Sequence, residues 1–119
     1  MKIKFLGGAD VVGRMGMLVH NKGATLLFEY GMTASKPPSY PLAAPPVDMA
    51  FLTHSHLDHC GMMPWLCGKY DTEVVATPIT VDVAELLVRD SLKIADIEGY
   101  PKPYDDVDIK AMMRNFTPM

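Results

Sequence analysis

The sequence predicts an α/β fold on three observations. Short alternating or apolar runs occupy the first half of the chain, helical apolar spacing occupies the second, and a buried-strand pattern leads straight into a cluster of histidines. Lys2 to Leu6 alternates polar and apolar residues and ends at Gly7-Gly8, which reads as a strand. Met15 to His20 and Ala24 to Tyr30 flank the turn Asn21-Lys22-Gly23, so residues 15–30 are predicted as a β-hairpin. Between Lys36 and Pro46 five prolines, Pro37, Pro38, Pro41, Pro45 and Pro46, deny the segment both helix and ladder bonding and leave an extended connector. Val47 to Thr53 is the short apolar run of a strand buried on both faces.

Gly61 to Tyr70 has helical spacing with Pro64 in its first turn, and Glu73 to Ala76 is a further short strand. From Thr80, Val83, Leu86, Leu87, Ile94 and Ala95 mark one helix face, and Ala84, Val88 and Leu92 mark another. A helix apolar over so wide an arc needs cover on more than one side. Gly99 and Pro101 stop it. A last amphipathic helix starts with Asp105 or Asp106 as N-cap and runs through Ile109, Met112 and Met113 to about Phe116, with no closing strand expected after it.

At 119 residues the chain has room for one core. Its 49% hydrophobic and 21% charged residues exclude a disordered tail or a coiled coil. A net charge of −3 argues against gripping polyanions by overall charge, so any contact with nucleic acid falls to local groups. No apolar run approaches the ~18 residues of a membrane span, and Met1 to Ala9 lacks a signal-like apolar region, so no membrane association and a cytoplasmic location are expected. Cys60 and Cys67, placed in one helix, would lie about 10 Å apart, too far for a disulfide; they read as reduced packing residues. The ten methionines read as core filler. Gly7-Gly8, Gly13 and Gly16 lack the order of a phosphate loop and read as turn glycines.

The chemistry concentrates in Thr53-His54-Ser55-His56-Leu57-Asp58-His59-Cys60-Gly61. Imidazole and carboxylate suit zinc, and His54, His56, Asp58 and His59 can be reached by metal without long-range loop closure. In extended backbone His54 and His56 point the same way and can address one ion, while Asp58 and His59, beyond the bend, can address a second. Such a two-ion site activates water and clamps attacking and leaving oxygens. The carboxyl end of a buried strand is where open α/β sheets place their sites. His20, with no partner nearby in sequence, is left out.

His54-Ser55-His56-Leu57-Asp58-His59 resembles the HxHxDH signature of the metallo-β-lactamase fold. Phe5-Leu6-Gly7-Gly8, Val12-Gly13-Arg14, Leu27-Phe28-Glu29-Tyr30-Gly31-Met32 and His59-Cys60-Gly61-Met62-Met63-Pro64-Trp65-Leu66 look like the β-CASP ribonucleases, which include cleavage and polyadenylation specificity factor endonucleases and ribonuclease J. Arg89-Asp90-Ser91-Leu92-Lys93-Ile94 before Pro101 to Tyr104 is similar to the archaeal members. The resemblance implies the N-terminal half of an αββα sandwich with the start of a β-CASP region, so that residues 1–119 form a partial metallo-β-lactamase domain. It implies two zinc ions, His54 and His56 on the first and Asp58 and His59 on the second, Asp58 as the catalytic carboxylate, and hydrolysis of an RNA phosphodiester. Where the family carries an Asp that supports the metal histidines, this sequence has Glu29, one methylene longer.

The family completes its site with a histidine, a bridging aspartate and a late histidine downstream, whereas no histidine follows His59 here. Each ion would have two protein ligands against the three of a catalytic zinc, so the chain carries half a site. The leading expectation is therefore the N-terminal portion of a zinc-dependent endo- or 5′-exoribonuclease, inactive alone. Its expected partners are RNA in the complete protein and, through self-association or a second chain, whatever supplies the missing half. The alternatives are a non-catalytic metal-binding or protein-interaction module, and a hydrolase of the same fold with a non-RNA substrate.

Overall fold

The computed structural model describes residues 1–8, 13–33 and 35–119; Val12, part of the Val12-Gly13-Arg14 segment, lies outside the described residues. Among the described residues six strands form one sheet in sequence order: β1 (Lys2–Gly7), β2 (Gly16–Asn21), β3 (Ala24–Tyr30), β4 (Met49–Phe51), β5 (Val74–Ala76) and β6 (Phe116–Pro118). The first three pair antiparallel and the last three add in parallel. The change of direction follows from the connections. Lys22-Gly23, both with positive φ, makes the tight β2–β3 turn, whereas parallel pairing needs a crossover. The proline-rich connector supplies the first crossover, α1 (Leu57–Cys60) and α2 (Met63–Tyr70) the second, and α3 (Pro78–Glu98) with α4 (Asp106–Arg114) the third.

Register divides the sheet into two unlike faces. Leu18, Leu27, Ala50 and Val74 stand opposite one another across four strands, and all are buried against the helices in one core with Leu66, Val88, Ile109 and Met112. Burying a leucine as fully as Leu27 stabilises the fold by about 1.5–3 kcal/mol. The next row, Met17, Phe28, Phe51 and Val75, is half-buried, Phe5 at its end is 54% exposed, and Phe28 stacks on Phe51 at 5.0 Å. A sheet with helices packed on one face is the α/β half of a sandwich that the resemblance implied.

Four details depart from the sequence reading. A closing strand exists: β6 pairs with β5, Val74 N–H bonding Asn115 O at 3.0 Å and Met119 N–H bonding Ala76 O at 3.0 Å. Three residues ending in a proline carry too little periodicity to be seen in sequence, and the edge position tolerates the proline. The helix expected over 61–70 starts at Met63, and a separate one-turn α1 precedes it, so Cys60 and Cys67 sit in different helices, both free and buried. α3 starts at Pro78, two residues before the expected Thr80, with the Thr77 side chain accepting from the Thr80 N–H. It buries Val81, Ala84, Val88 and Ala95, whereas Val83, Leu86 and Ile94 of the face read as apolar are exposed. α4 keeps its acidic start, with Asp105 as N-cap and a capping box to Asp108. Among the described residues no helix is long and apolar enough to cross a membrane.

Candidate metal centre

The site forms where β3 and β4 end side by side. The pairing Gly16–Tyr30 followed by Met17–Phe28 leaves Glu29 unpaired, a bulge in β3, with its backbone in the left-handed region at φ 66. That conformation costs a non-glycine residue of order 1–3 kcal/mol and persists only where surroundings over-determine it. Here they do. The bulge turns the buried Glu29 carboxylate toward the neighbouring strand end, where Oε1 accepts the Thr53 backbone N–H at 2.7 Å and Oε2 accepts from His59 Nδ1.

The chain from His54 to Gly61 is then held by backbone bonds. Met15 N–H donates to Asp58 O at 2.9 Å, Met32 N–H to Leu57 O at 2.8 Å, and Met62 N–H to Tyr30 O at 2.8 Å. The buried Tyr104 hydroxyl donates to Gly61 O at 2.6 Å, and the Cys60 thiol donates to Ser55 O at 3.1 Å. Gly31 lies so close that a Cβ there would sit 1.8 Å from Asp58 O, which explains a glycine after Glu29-Tyr30. Burial pushes the thiols of Cys60 and Cys67 up to about 12, so both are protonated near neutrality and act as packing groups.

His54 and His59 converge, their rings 4.6 Å apart and tilted by 36°, and together with Glu29 they offer donor atoms within 4.8 Å of one another. Asp58 Oδ2 lies 3.8 Å from His59 Nε2. His56, exposed, stands outside the group that Glu29, His54 and His59 form. β4 ends at Phe51 and the extended His56 is the N-cap of α1, so His54 and His56 lie just beyond the regular strand. His20 bonds Thr25 Oγ1 at 2.7 Å on the β2–β3 hairpin.

The donor set suits a borderline metal ion. A carboxylate only accepts, so His59 Nδ1 carries the proton it gives to Glu29 and its Nε2 lone pair is free on the side where Asp58 lies. His54 shares a hydrogen bond with Thr53 Oγ1 through Nδ1 at 2.8 Å, which leaves Nε2 as its free nitrogen. Both Glu29 oxygens are engaged, Oε1 by the Thr53 N–H and Oε2 by His59 Nδ1, so Glu29 ties His59 to the end of β4. The resemblance placed Glu29 where the family carries an Asp that supports the metal histidines, but the sequence carried no sign of the bulge that aims it. Tyr104, 43 residues from Gly61, entered the resemblance only as the end of the Pro101 to Tyr104 stretch, with nothing to link it to Gly61.

Comparison with known proteins identifies the family. The Metallo-beta-lactamase superfamily pattern matches residues 10–112, and the chain belongs to that superfamily. It is 32% identical over 123 residues to a Probable RNase MJ4 and 35% identical over 127 residues to the Transcription termination factor FttA, both of Methanocaldococcus jannaschii. It is also 33% identical over 119 residues to an RNase aCSPSF2 of Saccharolobus solfataricus. These alignments take in 100%, 100% and 96% of this chain but 29%, 20% and 24% of the relatives, so the chain spans less than a third of the proteins it matches. The resemblance to archaeal ribonucleases drawn from the motifs is thereby met.

Proposed function

We propose that this metallo-β-lactamase segment is the N-terminal, metal-binding portion of a zinc-dependent RNA phosphodiesterase whose activity belongs to the complete protein. The observation that carries the reading is the convergence of His54 and His59 beside Glu29 near the end of β4, with Asp58 Oδ2 3.8 Å from His59 Nε2, in a chain whose similar proteins are named as RNases. Zinc, when bound, supplies Lewis acidity toward water and the phosphodiester. His54 and His59 bring neutral nitrogen donors, Glu29 fixes the tautomer of His59, and Asp58 is the carboxylate assigned to the reacting side. His56, in this reading, joins a first ion by movement of the exposed tip. The remaining ligands of the two ions fall to residues outside this chain.

The test has two parts. Zinc affinity of the chain, measured by competition with a chromophoric chelator, is expected to drop about 10–100-fold in Glu29→Gln, and an unchanged affinity removes Glu29 as the holder. In the longer protein that contains this segment, cleavage of single-stranded RNA is expected to disappear in His54→Ala and His59→Ala. Turnover of a thioester without RNA cleavage would overturn the choice of substrate. A second reading, a non-catalytic interaction module, draws on the half-exposed row from Phe5 to Val75, and zinc-dependent RNA cleavage excludes it.

A further inference from the structure

A cavity of about 210 Å³ opens between the 32–40 segment, α1, α3 and the 100–104 segment. Its lining includes Tyr40, Tyr100, Pro38 and Pro103, whose rings offer stacking surfaces, and Leu57. Leu57 immediately precedes Asp58, so the cavity and the metal centre share the α1 turn. Lys36, Asp90 and Ser91 stand in the lining as the polar groups. Among the described residues neither Lys36 nor Asp90 has an ion-pair partner, and the Ser91 hydroxyl has no hydrogen-bond partner.

We propose that this cavity is a subsite for one nucleobase of an RNA strand, placed beside the metal centre; the proposal rests on the RNA reading above and names where the strand is gripped. The volume is below the roughly 300–1,000 Å³ of pockets for drug-sized ligands and suits a single planar ring system. Tyrosine and proline faces bind such a ring by stacking, which tolerates any base. Asp90 accepts from an exocyclic amino group, the Ser91 hydroxyl donates or accepts at the ring edge, and the Lys36 ammonium meets phosphate. The net charge of −3 leaves no general attraction to a polyanion, so a local cation and stacking surfaces are the features a strand can use. The extended, proline-rich connector serves this directly, because it lays Lys36, Pro38 and Tyr40 along one wall without a regular element.

The experiment uses the metal-free chain, so that phosphate cannot report through zinc. Adenosine 5′-monophosphate is titrated against ribose 5-phosphate, which lacks the base, and amide NMR signals are followed. The nucleotide is expected to shift Tyr40, Ser91 and Tyr100 saturably, whereas ribose 5-phosphate leaves them in place. Ser91→Leu, which fills the cavity, and Tyr100→Ala, which removes a stacking face, are each expected to weaken nucleotide binding roughly tenfold. Both should retain the wild-type circular dichroism and zinc affinity. Equal binding of the two ligands, or wild-type affinity in both folded variants, overturns the subsite. Absence of nucleotide binding while the longer protein still cleaves RNA overturns it too and leaves the metal reading standing. Nucleotide binding in the cavity with no RNA cleavage supports the subsite and removes the phosphodiesterase reading instead.

Discussion

The two ends of the turn from His54 to Gly61 are built in opposite ways. At its C-terminal end Cys60 and Gly61 are buried, and carbonyls of Leu57, Asp58 and Gly61 accept bonds from three other parts of the chain. At its N-terminal end His54 and His56 are exposed, and Thr53 Oγ1 alone, among the described residues, bonds a side chain of the pair. His59 lies between, half-buried and held by Glu29. The contrast teaches that the fold fixes the backbone of the turn and leaves nitrogen donors at its tip to be ordered by a ligand. A pre-set frame of this kind lowers the ordering cost of binding.

The largest expected effect comes from breaking the anchored end. Gly31→Ala puts a Cβ into the Asp58 carbonyl and the His59 nitrogen, all backbone atoms with no flexible side chain to yield. It is expected to cost more than about 4 kcal/mol or to prevent folding, read by thermal denaturation. A stability close to wild type would mean that the turn is not clamped against β3.

A smaller effect is expected from pH, because the packing beneath the turn shields ionisable groups. Burial pushes Cys67 from 9.0 to about 12 and Tyr30 from 10.0 to about 12. The unfolded chain releases these protons first, so from about pH 9 upward it holds fewer protons than the folded chain. Their contribution to stability is complete below pH 9 and is lost as pH rises toward 12. The melting temperature should fall over that window, less steeply in Cys67→Ala. Alkylation mapped to Cys67 at pH 8 should require denaturant, and rapid labelling of the native chain would show that this floor is open.

The smallest effect belongs to the tip. His56→Ala is expected to change stability by no more than about 0.5 kcal/mol, since the exposed side chain leaves nothing unsatisfied behind. Zinc titration of the same variant sharpens the contrast. If His56→Ala loses zinc as His54→Ala does, the tip rearranges around the ion; if zinc is kept, His54 and His59 with Asp58 hold it as they stand.

Legibility in the sequence followed the range of the interaction. Asn21-Lys22-Gly23 announces its hairpin because two left-handed residues fit few other structures, and Asp105 with Asp108 announces the start of α4. The histidine cluster is legible for the same reason, as its donors lie within six residues. By contrast, α3 reads as apolar on two faces, and the pattern alone does not say that Val81, Ala84, Val88 and Ala95 are the side that packs. β6 escapes notice because three residues carry no period.

What the sequence determined by itself was therefore the α/β class, the order of nearly every element, the clustering of the histidines and Asp58 within residues 54–59 and the ribonuclease resemblance. The tertiary structure alone decided that His54 and His59 come together beside Glu29, that a bulge turns Glu29 through 30 positions of chain to hold His59, and that Tyr104 pins Gly61. Turns, caps and clustered ligands are settled by neighbours along the chain. Which donors converge is settled by where two strands end beside each other, and that depends on pairings between residues far apart in sequence.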